Sequence, residues 1–224
     1  MGLAGAASAA DLAVKAMPAA PVPFTWSGCF IGGHLGGVVS QDTRGIIDFS
    51  STGFVGGGQI GCDYQFASNW VVGVEDRAAW TSMGGSRPGA VTSFVTGLTV
   101  PSQFTLRNDF LASATARLGY SFAPRWLVFA RGGGAWTREK IDDAFTSTVS
   151  GLAVDPGTTR TRTGWTAGTG VEWAFAPHWS ASVEYNYYNF GGGSVLLTGP
   201  TNTVIVYSLK DTIHAVTTGV NYRF

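Results

Sequence analysis

The most regular feature of this chain is a two-residue alternation of apolar and polar side chains. Near the carboxyl terminus, Val216, Val220 and Tyr222 share one face, whereas Asn221 and Arg223 lie on the other. This period is typical of a β-strand whose two faces meet different environments. It recurs along the chain and predicts eight strands of about 10 to 14 residues, a length that spans a bilayer when the strand is tilted. The predicted strands cover approximately residues 26–40, 53–66, 70–80, 110–122, 126–137, 164–175, 179–189 and 214–224.

Three short connections between these strands repeat nearly the same five residues, at 66–70, 122–126 and 175–179. Each is a polar or proline-containing turn between two aromatic residues, and together the pairs form a predicted girdle of Phe66, Trp70, Phe122, Trp126, Phe175 and Trp179. Short turns with aromatic girdles at one end and long loops at the other are typical of bacterial outer-membrane barrels. The turns are therefore predicted to be periplasmic and the long loops extracellular. The predicted loops cover about 41–52, 81–107, 138–162 and 190–211.

Composition agrees with a membrane-embedded wall. Only 12% of the 224 residues are charged, whereas a soluble domain has about 25%. The chain has no run of about 18 apolar residues, so a transmembrane helix is excluded and a closed barrel is the membrane-spanning option. The predicted fold class is all-β, an eight-stranded antiparallel up-and-down transmembrane β-barrel. The net charge of zero gives no electrostatic basis for a nucleic-acid partner.

Alternation alone does not decide which face is the lumen, because a lipocalin is also an eight-stranded barrel and is apolar inside. Here Trp and Tyr on the apolar face gather at strand ends, as membrane-interface anchors do. The polar face carries four acids and four bases in mid-strand, and these must pair if they are buried in a narrow lumen. Both features place the polar face inside. The predicted lumen charge network comprises Asp63, Glu75, Arg77, Arg117, Arg131, Glu172, Glu184 and Arg223.

The two ends of the chain carry targeting signals. Residues 1–10 resemble the end of a secretory signal peptide, 11–25 form an Ala/Pro-rich periplasmic linker, and 26–224 form the barrel. The alternative for the first segment is a disordered Ala-rich tail. A terminal Phe on an amphipathic strand is the mark read by the outer-membrane assembly machinery, a predicted partner. The predicted assembly signal consists of Val220, Tyr222 and Phe224.

Three residues do not follow the pattern. Asp76 falls on the apolar face of the third strand, where a bulge or a near-interface position would explain it. Cys29 and Cys62 lie on the lipid face of adjacent strands, where two interpretations stand: a disulfide, which an oxidising compartment allows, or two small apolar residues. Two Cys and three scattered His give no metal-ligand spacing, and no cofactor is predicted.

Several segments resemble the Omp25/Omp31 family of alphaproteobacterial outer-membrane β-barrel proteins. The resemblance covers the chain after residue 11, and its departures are Cys29, Cys62 and Asp76. It implies an eight-stranded barrel of the OmpA/OmpX type exposed at the cell surface, and leaves open whether the protein is a porin or a structural surface antigen. The matching segments are 8–12, 26–34, 73–75, 116–120, 170–172, 183–185 and 221–224.

Three functions are compared. An eight-stranded lumen is wide enough only for side chains, and Leu127, Phe129 and Tyr188 add bulk to the inward face, so a structural protein with a closed lumen is preferred over a small-solute porin. A lipid A-modifying enzyme is least favoured, because His34, His178, His214 and Ser208 show no catalytic spacing. Lipopolysaccharide and other outer-membrane lipids are the predicted partners, and two interpretations stand for the cations in the long loops: contacts to lipid phosphates, or ordinary solvated side chains. Those cations are Arg138, Lys140, Arg160, Arg162 and Lys210.

Overall fold

The structure is a computed structural model. It describes residues 1, 24–44, 47–92, 97, 99–146, 153–154, 157–198 and 204–224. The signal segment and most of the linker therefore lie outside the described residues. Where the structure describes the chain, no helix is long and apolar enough to cross a membrane.

Eight long strands and one two-residue strand make up the described chain. They are β1 Gly28–Arg44, β2 Ile47–Phe66, β3 Trp70–Thr92, β4 Thr99–Ala123, β5 Trp126–Thr146, β6 Ala153–Val154, β7 Gly157–Ala176, β8 Trp179–Thr198 and β9 Val204–Arg223. Each long strand pairs antiparallel with the next, and β6 pairs only with the end of β5. Because β1 also pairs with β9, the sheet closes on itself. The predicted eight-stranded antiparallel barrel is confirmed.

The strands are longer than predicted, between 17 residues in β1 and 25 in β4. Most of the sequence predicted as long loops belongs to paired strands, so that prediction was wrong. In β1 and β2, for example, pairing continues to Arg44 opposite Ile47. The physical reason is that backbone donors and acceptors remain best satisfied in the ladder beyond the bilayer. The outward face of such an extension meets water rather than lipid, so both faces can carry polar residues and the sequence shows no apolar–polar alternation.

The three aromatic-enclosed turns connect β2 to β3, β4 to β5 and β7 to β8, and they define what we call the turn end of the barrel. The first turn has three residues, with Ala67 and Ser68 at positive φ angles of 46° and 68°. The second and third have two residues each, because Ala123 pairs with Trp126 and Ala176 pairs with Trp179. In all three hairpins an outward-facing aromatic residue lies within one residue of the turn. The opposite end is called the loop end.

Outward-facing aromatic residues form a band at each end of the barrel wall. Trp70 and Trp80 on β3 are ten residues apart, as are Trp126 and Trp136 on β5. At about 3.3 Å per residue and a strand tilt of about 40°, ten residues span about 25 Å of the barrel height, which matches the apolar band of outer-membrane barrels. The bands therefore mark the two faces of the bilayer. The loop-end aromatic band comprises Phe54, Trp80, Phe110, Trp136 and Trp165.

Candidate functional site

The lumen gathers the charged side chains of the barrel. All eight predicted lumen charges point inward and are at most 6% exposed. They come from seven strands, and each lies on the polar parity of its strand. Four acids and four bases therefore share an interior from which water is largely excluded, so their charges balance.

Arg117 on β4 is the most connected cation of this interior. Its guanidinium lies 2.7 Å from Glu172, and 3.5 Å from Asp63 and from Glu75. Its charged carbon is 4.2 Å from the centre of the Phe129 ring, which adds a cation–π contact. A single guanidinium thus joins carboxylates from β2, β3 and β7 across the lumen.

Arg77 and Arg131 form a second centre with two shared carboxylates. Arg77 donates to Glu75 and, at 2.6 Å, to Glu184. Arg131 lies 2.6 Å from Glu75 and 3.4 Å from Glu184, and it also donates to the Asn186 side-chain oxygen. The alternation of acid and base keeps each charge next to opposite charges.

Arg223 completes the network at the carboxyl end of β9. Its guanidinium lies 2.9 Å from Asp63 and 3.7 Å from Glu172. It also donates to the backbone carbonyl of Trp26, which links the last strand to the segment preceding β1. The structure therefore brings all eight predicted residues into one connected network.

Inward-facing glycines provide the space that these side chains occupy. A Cβ atom at Gly73 would lie 2.1 Å from the Asp63 carboxylate, and one at Gly168 would lie 2.2 Å from the Asn186 side chain. At Gly170 a Cβ would lie 2.7 Å from the side chain of Glu184. Charged and amide side chains thus extend across glycines of neighbouring strands.

Apolar layers lie above and below the charged layer. Leu127, Phe129 and Tyr188 point inward, as their parity predicted, and are at most 5% exposed. At the turn end Trp26 is fully buried and packs edge-on against Phe24. The turn-end apolar layer comprises Trp26, Val71, Leu127, Phe129 and Ala174. The loop-end apolar layer comprises Val38, Val55, Ala79, Met83, Leu111, Ala135, Tyr188, Phe190, Ile213 and Ala215.

The burial of Trp26 and Phe30 inside the barrel was not predicted, although the sequence contains a signal for it. Phe30 and Val38 share the parity of the inward-facing His34, so β1 places apolar residues on its lumen face. Where His34 and Arg77 meet the loop-end apolar layer, a void of about 10 Å³ remains, which is room for about one water molecule. Among the described residues, apolar side chains therefore pack on both sides of the charged layer.

A third group of charges lies beyond the loop-end apolar layer. Glu139 is 1% exposed. It lies 2.8 Å from Arg160 and 3.6 Å from Arg162. The sequence predicts both arginines in a long loop, but they lie on β7 and pair with a buried carboxylate. Their contact with lipid phosphates stays a prediction. The side chain of Lys210, another predicted contact, lies outside the described residues, as does that of Ser208.

The predicted girdle residues point away from the lumen at the turn end, each 40–56% exposed. They are joined by further aromatic residues: Trp173 stacks on Trp126 with ring centres 5.7 Å apart, and Tyr222 meets Trp179 edge-on at 5.2 Å. Val220, Tyr222 and Phe224 of the predicted assembly signal also point outward. This end of the wall is thus a continuous aromatic belt.

Cys29 and Cys62 form a disulfide in the structure. They face each other directly in the register of β1 and β2, close to the turn end. The bond therefore joins the first hairpin of the barrel covalently next to the aromatic belt. The sequence allowed this bond but did not distinguish it from two unlinked residues.

Asp76 faces outward in the middle of the lipid-facing wall. It lies six residues after Trp70 and four before Trp80, between the two aromatic bands, and is exposed. It pairs in register with Ile60 and Ala114 without a bulge. Neither explanation offered from the sequence, a bulge or a near-interface position, applies.

Asp76→Leu is expected to raise the free energy of unfolding by about 1–2 kcal/mol, because a lipid-facing carboxylate costs somewhat less than the 2–4 kcal/mol of a basic residue at mid-bilayer. Urea titration of the barrel in phospholipid vesicles measures the change. Asp76→Asn removes the charge but keeps the size, so its free energy of unfolding should lie between those of the unaltered protein and Asp76→Leu. A lower stability for Asp76→Leu would show that the carboxylate has a stabilising role in the wall.

The three histidines lie in separate places. His34 is buried in the lumen, His178 lies in a turn with its ring nitrogen 2.9 Å from the Arg223 carbonyl, and His214 faces outward 2.7 Å from the Tyr185 hydroxyl. None of them pairs with a serine and an acid in the described part of the chain. The same residues contain no cluster of side chains suited to a metal ion.

Comparisons with known proteins agree on one class. A family model described as an outer membrane protein beta-barrel domain matches residues 4–224. The 31 kDa outer-membrane immunogenic protein of Brucella melitensis is 30% identical over 239 residues, covering 99% of this chain and 95% of that protein. The 25 kDa outer-membrane immunogenic protein of Brucella abortus is 26% identical, covering 97% and 91%.

Solved structures show the same fold at low sequence identity. The outer membrane protein OprG of Pseudomonas aeruginosa has a TM-score of 0.53 and 13% identity, covering 91% of this chain and 100% of that chain. The outer membrane protease OmpT of Escherichia coli has a TM-score of 0.51 and 9% identity, covering 91% and 99%. At these identities the likeness concerns the barrel fold alone.

Proposed function

Because this chain belongs to the outer-membrane β-barrel family that includes the 31 kDa and 25 kDa immunogenic proteins of Brucella, we propose that it is a structural, surface-exposed wall protein with a closed lumen. It lies in the outer membrane and holds paired, buried charges inside. The finer proposal is that the barrel stabilises the envelope and conducts no solute. Outer-membrane lipids are its proposed contacts.

The observation that carries this proposal is the layered interior. A salt-bridged layer lies between two apolar layers, with Leu127 and Trp26 fully buried on one side and Ile213 on the other. An ion crossing the barrel would have to leave water twice, and desolvation of a charge in an apolar layer is very costly. A selective pore needs a continuous polar path instead. No catalytic role is proposed, because the described histidines have no nucleophile and acid beside them.

Single-channel recording in planar bilayers tests the closed lumen. Purified, folded protein is expected to give no steady conductance steps, because the two apolar layers exclude hydrated ions. Heat-modifiable migration of boiled and unboiled samples confirms that the inserted protein is folded. A general porin recorded in the same bilayers is the positive control. Steady openings from the folded protein would overturn the closed-lumen proposal in favour of a small-solute porin.

The envelope role is tested in cells. A strain lacking the protein is expected to be more sensitive to detergent and to large antibiotics, and re-expression should restore resistance. Unchanged sensitivity would contradict the structural role without affecting the conductance result.

A further inference from the structure

Asp76 is a carboxyl group in the lipid-facing wall that has no partner within the barrel. It is exposed on β3, and its neighbours in the strand register are Ile60 on β2 and Ala114 on β4. Among the residues that the structure describes, no cation or hydrogen-bond donor pairs with its carboxylate. An ionisable group inside a membrane is costly and is normally paired. A partner for Asp76 therefore has to come from outside the barrel.

The wall on one side of Asp76 carries side chains no larger than a methyl group. On β4 and β5, Ala114 lies opposite Gly134 and Ala116 lies opposite Gly132, and all four positions face outward. Small residues allow neighbouring membrane-spanning elements to approach closely, so a second wall can come near enough to reach the short Asp76 side chain. We call this area the small-residue patch. It comprises Ala78, Ala112, Ala114, Ala116, Gly132 and Gly134.

A second polar group on the lipid-facing wall leaves one hydrogen-bond donor unused. The Tyr185 hydroxyl on β8 lies 2.7 Å from Nδ1 of His214 on β9, and both side chains face outward. A hydroxyl and a neutral imidazole have one donor each, and the bond between them uses only one. The remaining donor, the Nε2–H of His214 or the O–H of Tyr185, faces lipid. The hydroxyls of Thr169 and Thr218 instead donate to backbone carbonyls.

Asp76 and Tyr185 lie at the same depth in the membrane. Each is six residues from a tryptophan of the turn-end girdle, Asp76 from Trp70 and Tyr185 from Trp179. At about 3.3 Å per residue and a strand tilt of about 40°, six residues correspond to about 15 Å of height. Two copies inserted in the same direction therefore hold the carboxyl group and the hydroxyl group level with each other.

The two groups lie on opposite sides of the barrel. Around the eight long strands, β3 and β8 are four strands apart in either direction. A contact between these two sides has to join different surfaces of two copies, which makes it heterologous. Heterologous contacts that do not close into a ring continue as open assemblies. Because the two surfaces face in opposite directions, successive copies would extend as a row in the plane of the membrane.

We propose that copies of this barrel associate side by side in rows, with the Asp76 carboxyl group of one copy accepting a hydrogen bond from the Tyr185–His214 pair of the next copy. The rings of this pair form a ridge together with Tyr187, which packs edge-on against His214 with ring centres 5.2 Å apart. The ridge lies against the small-residue patch of the neighbouring copy. The inference goes beyond the envelope role, and it does not depend on the closed lumen because the contact is confined to the outer wall.

The test is the association of the folded protein in phosphatidylcholine vesicles, measured by energy transfer between donor-labelled and acceptor-labelled copies as the protein density is raised. Asp76→Leu is expected to weaken association by about tenfold, and so is Tyr185→Phe/His214→Leu, because each removes one side of an intermolecular hydrogen bond in lipid. Tyr64→Phe removes the hydroxyl of another outward-facing tyrosine and should leave association unchanged. At low density the barrels are isolated and Asp76 faces lipid, which is the state in which Asp76→Leu is expected to unfold less readily.

A mixture of the two variants distinguishes a heterologous contact from a symmetric one. Asp76→Leu keeps the Tyr185–His214 pair and the double variant keeps Asp76, so one intact contact can form between them. The mixture should therefore associate only into pairs, which chemical cross-linking would show as a dimer without the larger species of the unaltered protein. An unaltered protein that stays monomeric at every density, equal association of all variants, or no pairing in the mixture would overturn the proposal. Conductance recorded on the same preparations tests the closed lumen separately.

Discussion

Arg117→Leu is expected to destabilise the barrel by about 3–5 kcal/mol, the cost of removing one partner from a buried ion pair. Arg117 contacts Asp63, Glu75 and Glu172, and its loss leaves four buried carboxylates facing three cations. Water cannot readily solvate the excess negative charge, because apolar layers lie on both sides of the charged layer. Leucine also cannot form the cation–π contact that Arg117 makes with Phe129.

Urea unfolding in phospholipid vesicles, followed by tryptophan fluorescence, measures this loss. Arg125→Leu is the matched control, since it removes an exposed arginine from a turn and is expected to change stability by less than about 0.5 kcal/mol. The double variant Arg117→Leu/Glu172→Leu restores the balance to three acids and three bases. Its loss of unfolding free energy should therefore be smaller than the sum of the losses of the two single variants. An unchanged unfolding midpoint for Arg117→Leu would show that the network does not support the fold.

Gly36→Ala is expected to destabilise the barrel by about 3 kcal/mol, at the upper end of the overpacking range. A Cβ atom at this position would lie 2.0 Å from the Val216 carbonyl oxygen and 2.7 Å from the Thr217 Cα. These are backbone atoms of β9, the strand that closes the barrel against β1, so they cannot move aside as a side chain would. Relief requires β1 and β9 to separate locally.

The neighbouring glycine is a matched control for this clash. A Cβ atom at Gly37 would meet nothing within 4 Å, because the position faces outward, so Gly37→Ala should be nearly neutral. Both variants are compared by the same urea titration and by heat-modifiable migration, which reports closure of the barrel. Equal stability of the two variants would contradict the close approach of β1 and β9 at Gly36.

Much of the barrel was predictable because lipid imposes a pattern on the sequence. Between the aromatic bands, outward residues such as Val74 and Val183 meet lipid, and inward residues such as Glu75 and Glu184 do not. Strand identity and direction follow from this contrast. Beyond Trp80 and Trp136 the outward face no longer meets lipid, and the buried inward face carries polar residues such as Glu139. The apolar–polar contrast therefore disappears, and the strand extensions could not be recognised from period alone.

The membership of the charge network was predictable in the same way, whereas its connections were not. Parity places Arg117 and Glu172 inside, but they are 55 residues apart and lie on β4 and β7. Which acid meets which base depends on how far each strand is staggered around the barrel and on how side chains pass over neighbouring glycines. The alternation of apolar and polar residues gives information about neither the strand stagger nor the path of the side chains. The burial of Trp26 was missed for a different reason: it shares the parity of His34 in the predicted first strand, but a large aromatic residue on that face does not follow the apolar–polar contrast.

The ten-residue spacing of the aromatic bands also has a consequence for hydrophobic mismatch. The wall offers about 25 Å of apolar height, whereas a typical bilayer has a hydrocarbon core of about 30 Å. The hydrocarbon core of such a bilayer would have to become about 5 Å thinner around the barrel, at a cost of a fraction of a kcal/mol per Å. The bacterial outer membrane is thinner than average and needs less deformation. The distance from Trp70 to Trp80 therefore favours one membrane over another by thickness alone, independently of any targeting signal.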